Sequence, residues 1–190
     1  MLTRYWWLRH GPTHQSTICG WRDVPADLSD HAALARLRAF LPMAPVISSD
    51  LLRARQTADA IAGARPRRSP DADLREFNFG LWDGQPHQQI AATDPELSRR
   101  YWEEPGDIAP PGGESWNAAA ARVDRAISRL DALRLPDIIV VAHFGVILTR
   151  LQQSLATDAK TVLAQKIDPL SVTCLTRDTS IAPRWINHRP

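Results

Sequence analysis

Two short apolar runs, each delivering a histidine at its C-terminal end, do most to constrain what this chain can become. The first lies within the opening seven or eight residues, which are rich in Tyr5, Trp6, Trp7 and Leu8, and runs into Arg9-His10-Gly11-Pro12. The second, Asp137-Ile138-Ile139-Val140-Val141-Ala142, runs into His143-Phe144-Gly145. Short runs rich in aromatic and β-branched residues, closed by Gly or Pro, read as buried strands. Between them the spacing turns helical. Leu34, Leu37 and Leu41 share one face of a helix opened by Leu28-Ser29-Asp30, with Ser29 as its cap. A short strand, Val46-Ile47-Ser48, follows Pro42 and Pro45, and a second helix runs from Ser49-Asp50 through Ala62 to Gly63.

The rest continues the alternation. Residues 66–76 read as a short extended piece and a turn at Ser69-Pro70-Asp71, and Phe77–Gly84 carries too many glycines and aromatics for a regular helix. A polar helical stretch follows at about 86–101, then a loop, 102–113, that reads as an excursion over the site rather than a linker. Ala118, Val123, Ile127 and Leu130 stand at helical spacing within 114–133. After the 137–142 strand come a helix from about Val146 to Leu155 and two terminal strands, 171–176 and 181–187. This order predicts one α/β domain, 1–190, of three α/β/α layers with a mostly parallel central sheet. Open sheets of that kind bind ligands beyond the C-terminal ends of their strands, where His10 and His143 both fall.

Composition excludes several classes. At 190 residues, with 44% hydrophobic and 23% charged, the chain has the balance of a soluble globular protein with a substantial core. No apolar run approaches the roughly 18 residues of a membrane-spanning helix, and the start lacks the apolar centre of a secretory signal. Cys19 and Cys174 are no disulfide framework, so free thiols and a cytoplasmic location are expected. Of 23 basic residues only Lys160 and Lys166 are lysines. The arginines suit phosphate, whose oxygens match the guanidinium fork. The densest run, Arg65-Pro66-Arg67-Arg68, reads as solvated surface, because no zinc-finger spacing, aromatic RNA-binding signature or long basic helix accompanies it.

An imidazole attacks phosphorus through one ring nitrogen when the other is held protonated by an acceptor, and His10 is placed to do so. Adjacent strand residues face opposite ways, so Arg9 and His10 share a pocket only if the chain turns, which Gly11-Pro12 allows. Arg53 falls in the first turn of a helix whose free N–H groups favour an anion, while Arg55 reads as an anchor to an acidic neighbour. Glu76 precedes the aromatic–glycine loop. A carboxyl group between a phosphate and an aromatic wall tends to hold its proton, the state of a general acid; the alternative is a surface carboxylate paired with Arg75 or Arg53. His143 can donate to a phosphoryl oxygen, joined by the backbone N–H groups of Phe144 and Gly145; alternatively it is a satisfied core histidine.

Together these stretches resemble the histidine phosphatase superfamily. The matching segments are Leu8–Thr13, Gly20-Trp21-Arg22-Asp23, Ser48–Ala58, Leu74–Gly84, Pro111–Ser115 and Val141–Ile147, in the family's order. The resemblance implies a phosphoglycerate mutase-like fold and a metal-independent phosphatase, without cofactor, acting on a small-molecule phosphate ester. It implies His10 as the nucleophile that becomes phosphohistidine, Arg9, Arg53 and His143 as the rest of the phosphate pocket, and Glu76 as the acid. Three departures stand out. Ser16 replaces the family's asparagine, leaving Thr13 or Ser16 to complete the phosphate contacts; Phe144 replaces a glycine; Asp83 replaces a glutamate. His14 is a further candidate for substrate contact.

Phosphatase is preferred to phosphoglycerate mutase because Gln85–Pro110 offers only Arg99 and Arg100 against five carboxylates. Trp21, Phe79, Trp82 and Trp102 suit a leaving group with a ring, so an alpha-ribazole-5'-phosphate phosphatase is the specific alternative. A non-catalytic phospho-ligand module is the alternative from another class. A zinc hydrolase is disfavoured, because Arg9 and Arg53 would repel the metal. Should Glu76 not be the acid, Asp83 and Glu114 are the next carboxylates. Neither nucleic acid nor membrane is expected as a partner, and the chain is expected to be a monomer or homodimer.

Overall fold

Strand β1 (Arg4–Arg9) lies at the centre of a five-stranded sheet in the computed structural model, which describes residues 2–178 and 180–190. Met1, part of the expected first strand, lies outside the described residues. In chain order the elements are β1, α1 (His31–Phe40), β2 (Val46–Ser48), α2 (Leu52–Ala62), α3 (His87–Thr93) and α4 (Pro95–Glu103). They continue with α5 (Trp116–Asp131), β3 (Asp137–Ala142), α6 (Phe144–Ser154), α7 (Ala159–Leu163), β4 (Val172–Leu175) and β5 (Trp185–His188). Two 3-10 turns, Ala72–Leu74 and Gly80–Trp82, lie between α2 and α3.

The sheet order is β2-β3-β1-β4-β5, and β1 and β2 both pair with β3 in parallel. Strand β4 pairs antiparallel with β1 and with β5. The sheet is therefore mixed, with β4 alone running against the others. Strand alternation sorts the side chains into two cores. Trp6, Leu8, Val46, Ile139 and Val141 pack under α1 and α2. Tyr5, Trp7, Ile138 and Val140 pack under α5 and α6. A third, smaller cluster stands apart, built from Ile18, Trp82, Ile90 and Tyr101 with Phe79, Leu97, Trp102 and Ile108 against it.

Several boundaries differ from the sequence reading. Asp30, not Ser29, caps α1, its carboxylate accepting the Ala33 N–H at 2.9 Å. The polar stretch 86–101 is two helices, because Pro95 has no N–H to continue α3 and starts α4 instead. In α5 Ala118 is exposed and Ala119 takes the core position, with Val123, Ala126, Ile127 and Leu130. Arg65 is buried rather than solvated. It donates to the carbonyls of Arg38, Leu41, Pro42 and Ile61, satisfying acceptors that two helix C-termini leave free. Helix α7, with Asp158 as its cap, is too short for periodicity to reveal. Among the described residues no helix is long and apolar enough to cross a membrane.

Candidate active site

The parallel register sets the site. Arg9 pairs with Ala142, so the next residues, His10 and His143, leave the sheet side by side with ring centroids 5.1 Å apart. His10 is buried at the edge of a cleft, and its Nδ1–H donates to the Gly11 carbonyl at 2.7 Å. That acceptor assigns the proton to Nδ1 and leaves Nε2 with a lone pair. Burial, then the Arg53 charge, lowers the pKa to about 3, against a smaller opposing pull from the Gly11 carbonyl, so the ring is neutral. Gly11 is closely packed. A Cβ there would lie 2.7 Å from Leu28 Cδ2, while its N–H bonds Thr57 Oγ1 at 2.9 Å.

Two guanidinium groups flank the histidines. Arg53, in the first turn of α2, is buried and anchored by Nη1 to the Arg22 carbonyl (2.9 Å) and Nη2 to the Gly20 carbonyl (2.7 Å). Arg9 donates from Nη1 to the Ile167 carbonyl at 2.6 Å and lies 5.4 Å from the Phe144 ring, while its Nε is buried without a partner. His143 is fully buried, and neither ring nitrogen has a partner. Burial, then Arg53, pushes its pKa well below the usual histidine value. A satisfied core histidine would look otherwise. Two unpaired buried ring nitrogens cost about 1–3 kcal/mol each, the kind of cost that persists where a ligand supplies the missing bonds. Arg55 is exposed and makes no ion pair among the described residues; Arg75 holds Asp50 instead, at 2.7 and 2.6 Å.

Glu76 is buried and faces the same cleft, so the surface ion-pair reading fails. Its carboxyl oxygens accept the Gly145 N–H at 3.1 and 3.2 Å, and Oε1 accepts the Phe77 N–H at 3.0 Å. Burial raises its pKa above the usual carboxylate value, opposed by those N–H groups and by Arg53 and Arg9. The Gly145 N–H, expected to bind the anion, is thus engaged by the Glu76 carboxyl. Gly145 also permits the approach, since a Cβ there would stand 2.7 Å from Glu76 Oε1. The backbone around Glu76 is gripped by Trp21, which the sequence assigns to the leaving group, and by Arg122, which it does not single out. Trp21 Nε1–H donates to the Glu76 carbonyl at 2.7 Å. Arg122, on α5, donates to the carbonyls of Asp73 (2.8 Å), Arg75 (2.9 Å) and Glu76 (3.2 Å) and pairs with Glu114.

The cleft encloses about 370 Å³. Arg9, His10, Thr13, Gln15, Thr17, Arg53 and Glu76 line it, whereas His143 is buried against the His10 ring and is not itself on the lining. Phe79, Trp102 and Ile108 form an apolar wall, joined by Tyr101 and Trp116, which the sequence reading did not single out. Trp102 and Ile108 place the 102–113 segment at the cleft. Trp82 is buried behind this wall and Trp21 grips Glu76 rather than lining it. Ser16 is exposed and outside the cleft; the loop turns so that Thr17 faces inward instead. His14 is exposed, with a left-handed φ of 53°, and its Nε2 bonds Asp27 at 2.8 Å. Asp83 binds Arg22 and the Gly20 N–H, and Glu114 binds Arg122 and the Asn78 N–H, so both alternative acids are engaged. Cys19 lines the cleft, Cys174 sits in β4, and both are free.

Three comparisons bear on this geometry. A family model described as histidine phosphatase superfamily (branch 1) matches residues 5–182. The bifunctional protein Rv2228c of Mycobacterium tuberculosis is 32% identical over 202 residues, covering 97% of this chain and 54% of that protein. The chain thus spans about half the length of that relative. The adenosylcobalamin/alpha-ribazole phosphatase of Salmonella typhimurium is 30% identical over 154 residues, 76% of this chain and 75% of its own length. Among solved structures, mycobacterial hydrolase 1 superposes with a TM-score of 0.84 at 29% identity over 100% of both chains.

Proposed function

The chain belongs to branch 1 of the histidine phosphatase superfamily, and from that premise we propose that it hydrolyses small phosphate monoesters through a phosphohistidine on His10. The observation that carries this reading is the arrangement at the paired strand ends. Two histidine rings 5.1 Å apart lie with two guanidinium groups, and the tautomer of His10 is fixed by the Gly11 carbonyl. Such a donor set receives a phosphoryl group.

In the first step His10 Nε2 attacks phosphorus and the P–O ester bond breaks. The departing alkoxide takes the proton of Glu76, whose buried carboxyl favours the protonated form. Arg9, Arg53 and His143 hold the equatorial oxygens throughout. In the second step Glu76, now ionised, accepts a proton from water. The resulting hydroxide attacks the phosphohistidine, releasing inorganic phosphate and restoring both groups.

Mutase action is less well supported. Arg9 and Arg53 are the only arginine or lysine residues lining the cleft among the described residues. Arg99 and Arg100 on α4 are tied to Glu96, Glu103 and Glu104, leaving little to hold a second anion. The wall of Phe79, Trp102 and Ile108 favours an alcohol with a flat apolar portion. It supports alpha-ribazole-5'-phosphate, the chemistry named for the Salmonella relative, as the finer substrate reading. A module that binds without turnover has no use for a buried acid beside the nucleophile. The two unpaired cysteines suit a reducing cytoplasm.

Rapid quenching with radiolabelled ester tests this reading. Label should be trapped that survives alkali and is lost in acid, as a phosphoramidate is, and His10→Ala should abolish label and turnover together. Full labelling of His10→Ala would overturn the assignment. A panel of esters read in the same assay, with ring-bearing alcohols set against phosphoglycerates, decides the substrate.

A further inference from the structure

We propose that Arg122 and Trp21 are positioning residues for the catalytic acid, setting the direction in which Glu76 presents its proton. The inference rests on Glu76 being that acid.

Glu76 belongs to no helix or strand. It follows the 3-10 turn Ala72–Leu74 in a segment without a ladder to fix its backbone. Its carbonyl accepts two side-chain donors, Trp21 Nε1–H at 2.7 Å and Arg122 Nη2–H at 3.2 Å. The same Arg122 fork takes the carbonyls of Asp73 and Arg75 through Nη1, so one rigid group collects three acceptors from a four-residue stretch. The fork is itself held. It pairs with Glu114, whose Oε1 also accepts the Asn78 N–H on the far side of the acid. The Trp21 ring lies 4.8 Å from the Arg75 guanidinium carbon and 6.0 Å from that of Arg122, which fixes the indole N–H on its target.

None of these groups lines the cleft, so none is placed to touch substrate. What they determine is the orientation of the Glu76 peptide, and through it where the carboxyl group sits between the Gly145 N–H and the leaving oxygen. A planar fork that satisfies several carbonyls at once does this with less loss of freedom than an ammonium.

The test compares phosphoenzyme formation from an alkyl phosphate, which needs a proton for its leaving group, with that from p-nitrophenyl phosphate, which does not. Arg122→Lys keeps a buried cation but breaks the fork, and Trp21→Phe removes the indole N–H while keeping a smaller aromatic ring at a partly exposed position. Both should lower the alkyl-to-aryl rate ratio about 10-fold with little change in KM, as expected when a group acting only on the transition state is misplaced. Glu76→Gln, run alongside, should lower the ratio further. An unchanged ratio in both Arg122→Lys and Trp21→Phe, while Glu76→Gln is selective, overturns the positioning role and leaves the acid assignment intact. If Glu76→Gln is itself unselective, the acid assignment fails, and this proposal with it.

Discussion

Gly145→Ala tests the geometry of the acid from the cleft side. The added methyl would stand 2.7 Å from Glu76 Oε1 and 3.0 Å from two carbons of the Phe77 ring, at the start of α6. Helix α6 cannot yield, because Val146, Ile147, Leu148 and Leu151 are fully buried. The carboxyl group must move instead, away from an N–H it meets at 3.1 and 3.2 Å. Losing that hydrogen bond and tilting the acid costs about 1.5–3 kcal/mol. At about 1.4 kcal/mol per tenfold in rate, proton delivery should slow by roughly 10- to 10²-fold. Phosphoenzyme formation from an alkyl phosphate carries that penalty, and p-nitrophenyl phosphate should carry much less of it. Rapid-quench measurement with both esters is the assay. Stability should change little, since about 1 kcal/mol of helix propensity gained by Ala offsets part of about 1–3 kcal/mol of crowding. An undiminished alkyl rate would mean that the tight contact does not govern the acid. Equal loss on both esters would mean that the phosphate pocket had moved, not the acid.

Replacing Arg9 or Arg53 by Ala removes charge-assisted hydrogen bonds to the transferring group. A loss on the order of 10²-fold in kcat/KM is expected, alike for every ester and accompanied by weaker inhibition by vanadate. Loss confined to one ester would remove that arginine from the phosphoryl end. Folding stability should also depend on pH through His10, whose pKa falls from 6.5 to about 3 on folding. Between those values the unfolded chain binds the extra proton, so this contribution is complete above about 6.5 and drains away as the pH falls toward 3. His10→Gln should flatten the slope of urea-unfolding stability in that window by about 1.4 kcal/mol per pH unit. A slope identical to wild type would show that His10 is not buried neutral.

The buried strands were legible because the apolar runs at 5–8 and 137–142 have no other way to satisfy their surface, and each brought its histidine with it. Their pairing was not: nothing local states that Arg9 lies opposite Ala142, yet that register sets the two rings together. Local pattern also misplaced single-residue choices. Ala118 and Ala119 are equivalent to any hydrophobicity count, and only the helix phase buries the second. Ser16 and Thr17 differ in the same way, through the turn of a loop. The grip on Glu76 was beyond reach, because Trp21 and Arg122 lie 55 and 46 residues away in sequence and act on a backbone carbonyl. Arg65 hid for a related reason. A guanidinium that collects helix-end carbonyls looks, in sequence, like any surface arginine.

The small third core bears on where this protein tolerates substitution. His10, the proposed nucleophile, and Arg9, His143 and Arg53 are rooted in or directly after β1, β3 and α2, within the two cores that carry the sheet. Trp102 and Ile108 are instead rooted in the cluster around Ile90 and Tyr101, and Phe79 packs against both that cluster and the core under α5 and α6. Packing changes inside one cohesive unit are felt there, and distant, unshared sites add nearly independently. Substitutions in α3, α4 and the 102–113 segment should therefore cost the reaction centre less than substitutions in the two larger cores. On the proposed reading, the residues that would select the leaving group and those that would do the chemistry stand on largely separate packing units, with Phe79 as their shared contact.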